Sequence, residues 1–461
     1  MFYFFLVILS LFTIAFVGFK CAIIQLAAYG VGFLILLVVN KNDGYIKRLY
    51  NVLFLCASTY LLMCYTYMRA NNYEWLLAFD TYNSFLPETI HYMQNGNYNF
   101  ISILSLIFED YTVFSRDIPI YFVYSCFWGL VAHIIDADLY YVQQLSVLFL
   151  YLFVGIVLYK IMLLNRFTKS KAMKYTIIIC TCSTIFFYSS QILRDIHILL
   201  FSLLAIYYTF KQEFSLLNLL KIILCIILII GLRVESGLFM CCLIPAYIYI
   251  HLNNKGNIIY KIFVVLLVLI CGFMILLPYA TNFSEIFEAN RGNYIDDVSS
   301  SDGIIGTLQK IPIIGDILSI IYNAIQPVPF WQKFSPSFGS HGPQAYNVMR
   351  FVSIFSSFFH LIVIVYIIVA VSYTNIRKVV FNKLSKSMKV QLLLGFIFLY
   401  LQSAVISQRR LLPYYCVYYI LFFVIYTNVT NKNKINLNII TVILFILLQV
   451  FGAVLLRSNM T

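Results

Sequence analysis

The sequence predicts an all-α, polytopic integral membrane protein with about thirteen transmembrane helices. Three observations carry this prediction. The 461 residues are 62% hydrophobic and only 11% charged, with a mean hydropathy of +0.89. Apolar runs close to the length that crosses about 30 Å of hydrocarbon recur from end to end. Basic residues cluster between alternate runs, as the cytoplasmic bias of Lys and Arg demands. One membrane domain over 1–461 is therefore expected, with no soluble domain of ordinary size.

Taken in order, the first run, 2–19, lacks a basic leader and a small-residue cleavage site, and is expected to stay as an anchor. A second span, 21–39, ends at Lys41, Lys47 and Arg48, which places that turn inside, and 49–68 returns outward. A long outer loop over 70–138 follows. Within it, Ile118–Ile135 is apolar enough to span, but spanning would put the basic 160–174 segment outside. A non-spanning helix in the outer leaflet resolves that conflict; Pro119, Trp128 and the Asp136-Ala-Asp138 exit suit it. Spans 139–160 and 175–193 flank the basic 160–174 turn, and 196–211 and 214–231 meet at a turn read as inner from Lys211 and Lys221. Spans 238–251 and 262–280 flank Lys255 and Lys261. A second outer loop, 281–350, turns from polar to rich in Pro, Gly and aromatics, and suits a lid or ligand-stacking loop as well as a structured connector. Spans 351–375 and 390–406 flank the basic 377–389 segment, and 411–429 and 436–456 flank Lys432 and Lys434. The N-terminus is then inside and the C-terminus outside.

This topology segregates charge. Nine of the twelve arginines fall outside, whereas sixteen of the nineteen inner cations are lysines. Twelve of the 18 acidic residues lie in the outer stretches 70–117 and 281–350, and Asp136, Asp138, Asp195 and Glu235 sit at outer helix ends. The working surface is therefore expected at the outer face. Guanidinium groups retained there suit bidentate capture of phosphate or carboxylate. The net charge of +13 is spread over short loops facing anionic lipid, so no nucleic-acid partner is implied. The 11 cysteines lie mostly inside apolar runs and read as packing residues. No phosphate loop, dinucleotide fingerprint, HExxH or EF-hand spacing occurs.

Four segments carry candidate chemistry. In the first loop Asp80 and Tyr82 follow the third span, where a carboxylate can take a hydroxyl proton, hold a cation or pair with arginine. Arg194, Asp195 and His197 lie between two apolar runs with scarcely any loop, so they sit at or just inside the boundary, where ionisable groups are costly. Adjacent helical residues diverge by about 100°, so Asp195 is expected to pair with an arginine other than Arg194. Arg233 and Glu235 lie in a glycine-bounded turn between Gly231 and Gly237, and Arg409 and Arg410 precede Pro413. Converging, these three arginine-bearing outer helix ends would form a cationic cup for a diphosphate beside hydrocarbon.

The order of these features resembles that of bacterial Wzy-type O-antigen, capsule and exopolysaccharide polymerases and of the wider GT-C superfamily of membrane glycosyltransferases. Asp80-Thr-Tyr82 through Asn95-Gly96-Asn-Tyr98 resembles the acidic and aromatic segment of their first outer loop. Ile118-Pro119 through Asp138 resembles their Pro-led, non-spanning helix, and the arginine turns resemble arginine positions of capsule polymerases. The resemblance implies polymerisation of polyprenyl-diphosphate-linked oligosaccharides at the outer face of a bacterial cytoplasmic membrane. A chain-length regulator and a flippase of the same pathway are implied partners beside membrane lipid. Asp80 first and Asp195 second would act as the base. Arg194, Arg233, Arg409 and Arg410 would grip diphosphate, with Glu235, His197, Arg291 and Tyr82 also at the substrate. No cofactor is implied, and no acidic pair in the loop supports a divalent metal. The alternatives are a single-sugar transferase of the same superfamily and a lipid-linked glycan flippase or anion transporter.

Overall fold

In the computed structural model, residues 2–40, 43–70, 119–211, 215–251, 321, 325, 346–401 and 408–458 are described, and their regular structure is all α-helix. The helices are α1 (Phe2–Phe16), α2 (Phe19–Val39), α3 (Gly44–Ala70), α4 (Pro119–Ile135), α5 (Leu139–Leu164), α6 (Lys169–Cys182), α7 (Thr184–Tyr188) and α8 (Asp195–Phe210). They continue as α9 (Leu216–Leu232), α10 (Val234–Met240), α11 (Leu243–His251), α12 (Tyr346–Ser372), α13 (Thr374–Lys383), α14 (Lys386–Leu401), α15 (Gln408–Asn428) and α16 (Asn431–Ser458). Among the described residues six stretches are long and apolar enough to cross a membrane, in α2, α3, α5, α12, α15 and α16. The expected 262–280 span and most of both outer loops lie outside the described residues.

Two expected spans are not continuous. The 175–193 run stops at Cys182, makes the five-residue α7, and is irregular from Ser189 to Arg194. Serine explains the break. Ser183 takes an extended backbone and its hydroxyl accepts from the Ile185 amide at 3.3 Å, while Ser189 Oγ donates to the Phe186 carbonyl at 2.7 Å. Such bonds compete with the helical ladder. The 238–251 run breaks at Cys241 and Cys242. Pro245 lacks the amide that would reach the Cys241 carbonyl, and its ring would collide with that carbonyl in a continuous helix.

The chain divides into two compact units. The first comprises Met1–Leu203, Leu228–Val234 and Trp331–Ser356. Its centre is α3 against α5, where Leu49, Leu53, Tyr151 and Leu158 are fully buried. A Cβ on Gly155 would collide with the Leu53 side chain, so glycine lets the two helices approach. The polar ends of this unit are laced separately. Lys20 pairs with Asp136, and Arg69 with Asp138, at one end. Asp43 meets Lys169 at 3.4 Å and Tyr159 at 3.3 Å at the other. Between them runs α5, 26 residues and so about 39 Å long, enough for a hydrocarbon core with its interfaces.

The second unit comprises Leu204–Ile227, Glu235–Phe330 and Ser357–Thr461. Ring contacts set its order. Phe359 meets Tyr419 at 5.3 Å and Tyr366 meets Phe422 at 5.2 Å, so α12 and α15 run in the same direction. Phe398 meets Tyr414 at 5.1 Å and Gly395 lies against Val417 and Tyr418, so α14 runs antiparallel to α15. Tyr366 also donates to Asn438 Oδ1 at 3.0 Å, fixing the start of α16 against α12.

Candidate functional site

The irregular segment before α8 and the C-terminus of α9 meet in the first unit. Arg194 Nη1 donates to the Leu232 carbonyl at 3.0 Å. Arg233 Nη2 donates to Asp195 Oδ1 at 2.9 Å. Two adjacent residues on one strand of chain thus grip two adjacent residues 38 positions away. The helix termini favour this arrangement. Asp195 opens α8, where the exposed amides carry partial positive charge; both guanidinium groups lie at the carbonyl end of α9. The ion pair is shut away from solvent, with side-chain exposures of 6% for Arg233 and 1% for Asp195. Arg194 is only half-buried. Asp195 pairs with Arg233, an arginine other than Arg194, although Arg194 lies in the irregular segment before α8 and not on the helix.

Helix α4 closes one side. A Cβ on Gly231 would strike the Ile120 side chain, so glycine allows the start of α4 to reach the end of α9. His197, one turn into α8 and 3% exposed, lies against Tyr121 and Tyr124 with edge-on ring centroids at 5.2 and 4.9 Å. The Leu193 backbone is alongside, but neither ring nitrogen finds a partner at hydrogen-bonding geometry among the described residues. The broken backbone behind the clasp is satisfied from α5 and α3. Gln144 Nε2 donates to the Ser190 carbonyl at 3.1 Å, and Tyr60 reaches the Phe187 carbonyl at 3.5 Å. Irregular backbone at membrane depth survives only with such partners.

Helices α8 and α9 hold 16 and 17 residues, about 24–26 Å. That is shorter than a hydrocarbon core of about 30 Å.

Of the sequence candidates, Arg194, Asp195, His197 and Arg233 come together. Arg409 and Arg410 occupy the first turn of α15 in the second unit, and Glu235 the first turn of α10; their side chains are outside what is described. Asp80, Tyr82 and Arg291 lie outside the described residues. Among the described residues, no group of three His, Cys, Asp or Glu side chains is placed to hold a metal ion. Sequence reasoning missed Tyr121, Tyr124 and Gln144. The signal for the two tyrosines was a face of α4 carrying Tyr121, Tyr124, Ser125 and Trp128 at helical spacing. It also missed His360, an ionisable residue inside an apolar span, which is buried and hydrogen-bonded to Tyr419. No family model, curated protein or solved structure matched the chain in comparison.

Proposed function

We propose that the chain is a glycosyltransferase that polymerises polyprenyl-diphosphate-linked oligosaccharide repeat units at the outer face of a cytoplasmic membrane, with about thirteen spans, an inner N-terminus and an outer C-terminus. The observation that carries this reading is the clasp: a half-buried Arg194 whose position is set by a buried Asp195–Arg233 pair. A guanidinium held at a helix break beside hydrocarbon suits the diphosphate of a lipid carrier.

In the reaction an acceptor hydroxyl oxygen bonds to the anomeric carbon while the bond from that carbon to the lipid diphosphate breaks. The hydroxyl proton passes to a carboxylate, and the lipid diphosphate departs with its charge held by arginine. Asp80 is our first choice for that carboxylate. Asp195, 1% exposed and already facing Arg233, is better suited to positioning the arginines. Arg409 and Arg410 add cations to the leaving diphosphate in this scheme. The test is Arg194→Lys, which keeps charge but loses the planar fork. Glycan chain length should collapse while the protein still inserts in the membrane; an unchanged length distribution refutes the assignment.

A second reading, a lipid-linked glycan flippase or anion transporter, draws on a specific observation. The chain is discontinuous at 183–194 and 241–242, and an ion pair joins two short apolar helices, as at substrate sites of transporters. Purified protein in vesicles separates the two: lengthened glycan on the lipid carrier supports a polymerase, and movement of unaltered carrier between leaflets supports transport.

A further inference from the structure

The second unit has one end that is uniformly basic. Because α12 and α15 run the same way and α14 runs against them, three features share that end: α13, the start of α14 and the α15–α16 turn. Arg377, Lys378 and Lys383 belong to α13, Lys386 and Lys389 to α14, and Lys432 and Lys434 to α16. No Asp or Glu follows Asp316 in the sequence, so no carboxylate side chain of these helices neutralises them.

Helix α13 is amphipathic in a particular way. Val380 is buried, as is Leu384 just beyond the helix, and α13 packs against α15. Arg377 and Lys378 are exposed beside an equally exposed apolar set: Tyr373 at 63%, Phe381 at 56% and Val379 at 45%. Two of the lysines lie over rings, Lys389 Nζ at 4.1 Å from the Phe381 centroid and Lys434 Nζ at 4.5 Å from that of Tyr426. Exposed aromatics next to cations that form no ion pair among the described residues, on a ten-residue helix between two apolar ones, fit the level where headgroups meet acyl chains.

We propose that this end of the second unit is a docking surface for anionic phospholipid headgroups. Arg377, Lys378 and Lys432 meet the phosphates, while Tyr373 and Phe381 enter the acyl boundary. The surface is independent of the catalytic reading above and of which way the chain crosses the membrane.

The experiment reconstitutes the full-length protein in nanodiscs of phosphatidylcholine, alone or mixed with phosphatidylglycerol, and counts retained lipids by native mass spectrometry. Phosphatidylglycerol should be enriched over its share of the disc, and added salt should weaken the enrichment. R377Q/K378Q should reduce it on the order of fivefold per cation removed, and R377K should preserve it. Should R377Q/K378Q fail to fold, K432Q alone should still lower it. Soluble glycerophosphate should not compete. Equal retention of both lipids by the unaltered protein overturns the proposal. So does undiminished preference in both neutralised variants, or competition by glycerophosphate.

Discussion

Replacing Arg233 by Met leaves the Asp195 carboxylate buried without its charge partner. The pair is separated by 2.9 Å, with 6% and 1% side-chain exposure, so solvent gives little relief. Removing one partner of such a pair costs about 3–5 kcal/mol. Removing both, as D195L/R233M, replaces two desolvated charges by apolar groups and is expected to cost far less, since buried pairs often contribute nothing net relative to hydrophobic substitutes. The double-mutant cycle should therefore show a coupling of about 2 kcal/mol or more. The assay is reversible unfolding in mixed micelles, followed by helicity and by tryptophan emission, which must coincide for the free energies to be comparable. Single losses that add to within about 0.5 kcal/mol would mean that the two side chains do not share a buried contact, and the site described above would fall with it.

Gly231→Val should displace Ile120 and loosen α4, costing about 1–3 kcal/mol, with faster hydrogen exchange in α4 before α5. His197→Phe keeps the aromatic packing against Tyr121 and Tyr124, so helicity and melting should hold; loss of activity without loss of fold would separate a polar role from packing. Lys20 lowers the Asp136 carboxyl below its ordinary 3.8, so the stabilisation is present above the unfolded value and disappears as pH falls through the folded one. Asp136 is fully exposed, so the effect is small, and Asp136→Asn should slightly flatten the acid limb of the stability profile below about pH 4.

Much of the first unit was legible because its determinants are local. Proline needs no amide at a helix start, and α4 begins at Pro119. Asp195 does pair with an arginine other than Arg194, but not for the helical reason expected, since Arg194 precedes the helix. The separation of Asp43 from Asp136 and Asp138 followed from alternating the spans, and the two ends of the unit carry them apart. The break behind α7 was not legible, since hydropathy averages over Ser183, Ser189 and Ser190 without asking where their hydroxyls bond. Nor was the pairing of His197 with α4, which depends on two helices far apart in sequence. Pro245 was legible and overlooked: the carbonyl four residues before a proline marks the break at Cys241.

The two latches between 194–195 and 232–233 close the α8–α9 hairpin into a noncovalent ring of 38-residue separation. To part the ends of that ring, both the Arg194–Leu232 hydrogen bond and the Asp195–Arg233 ion pair must break.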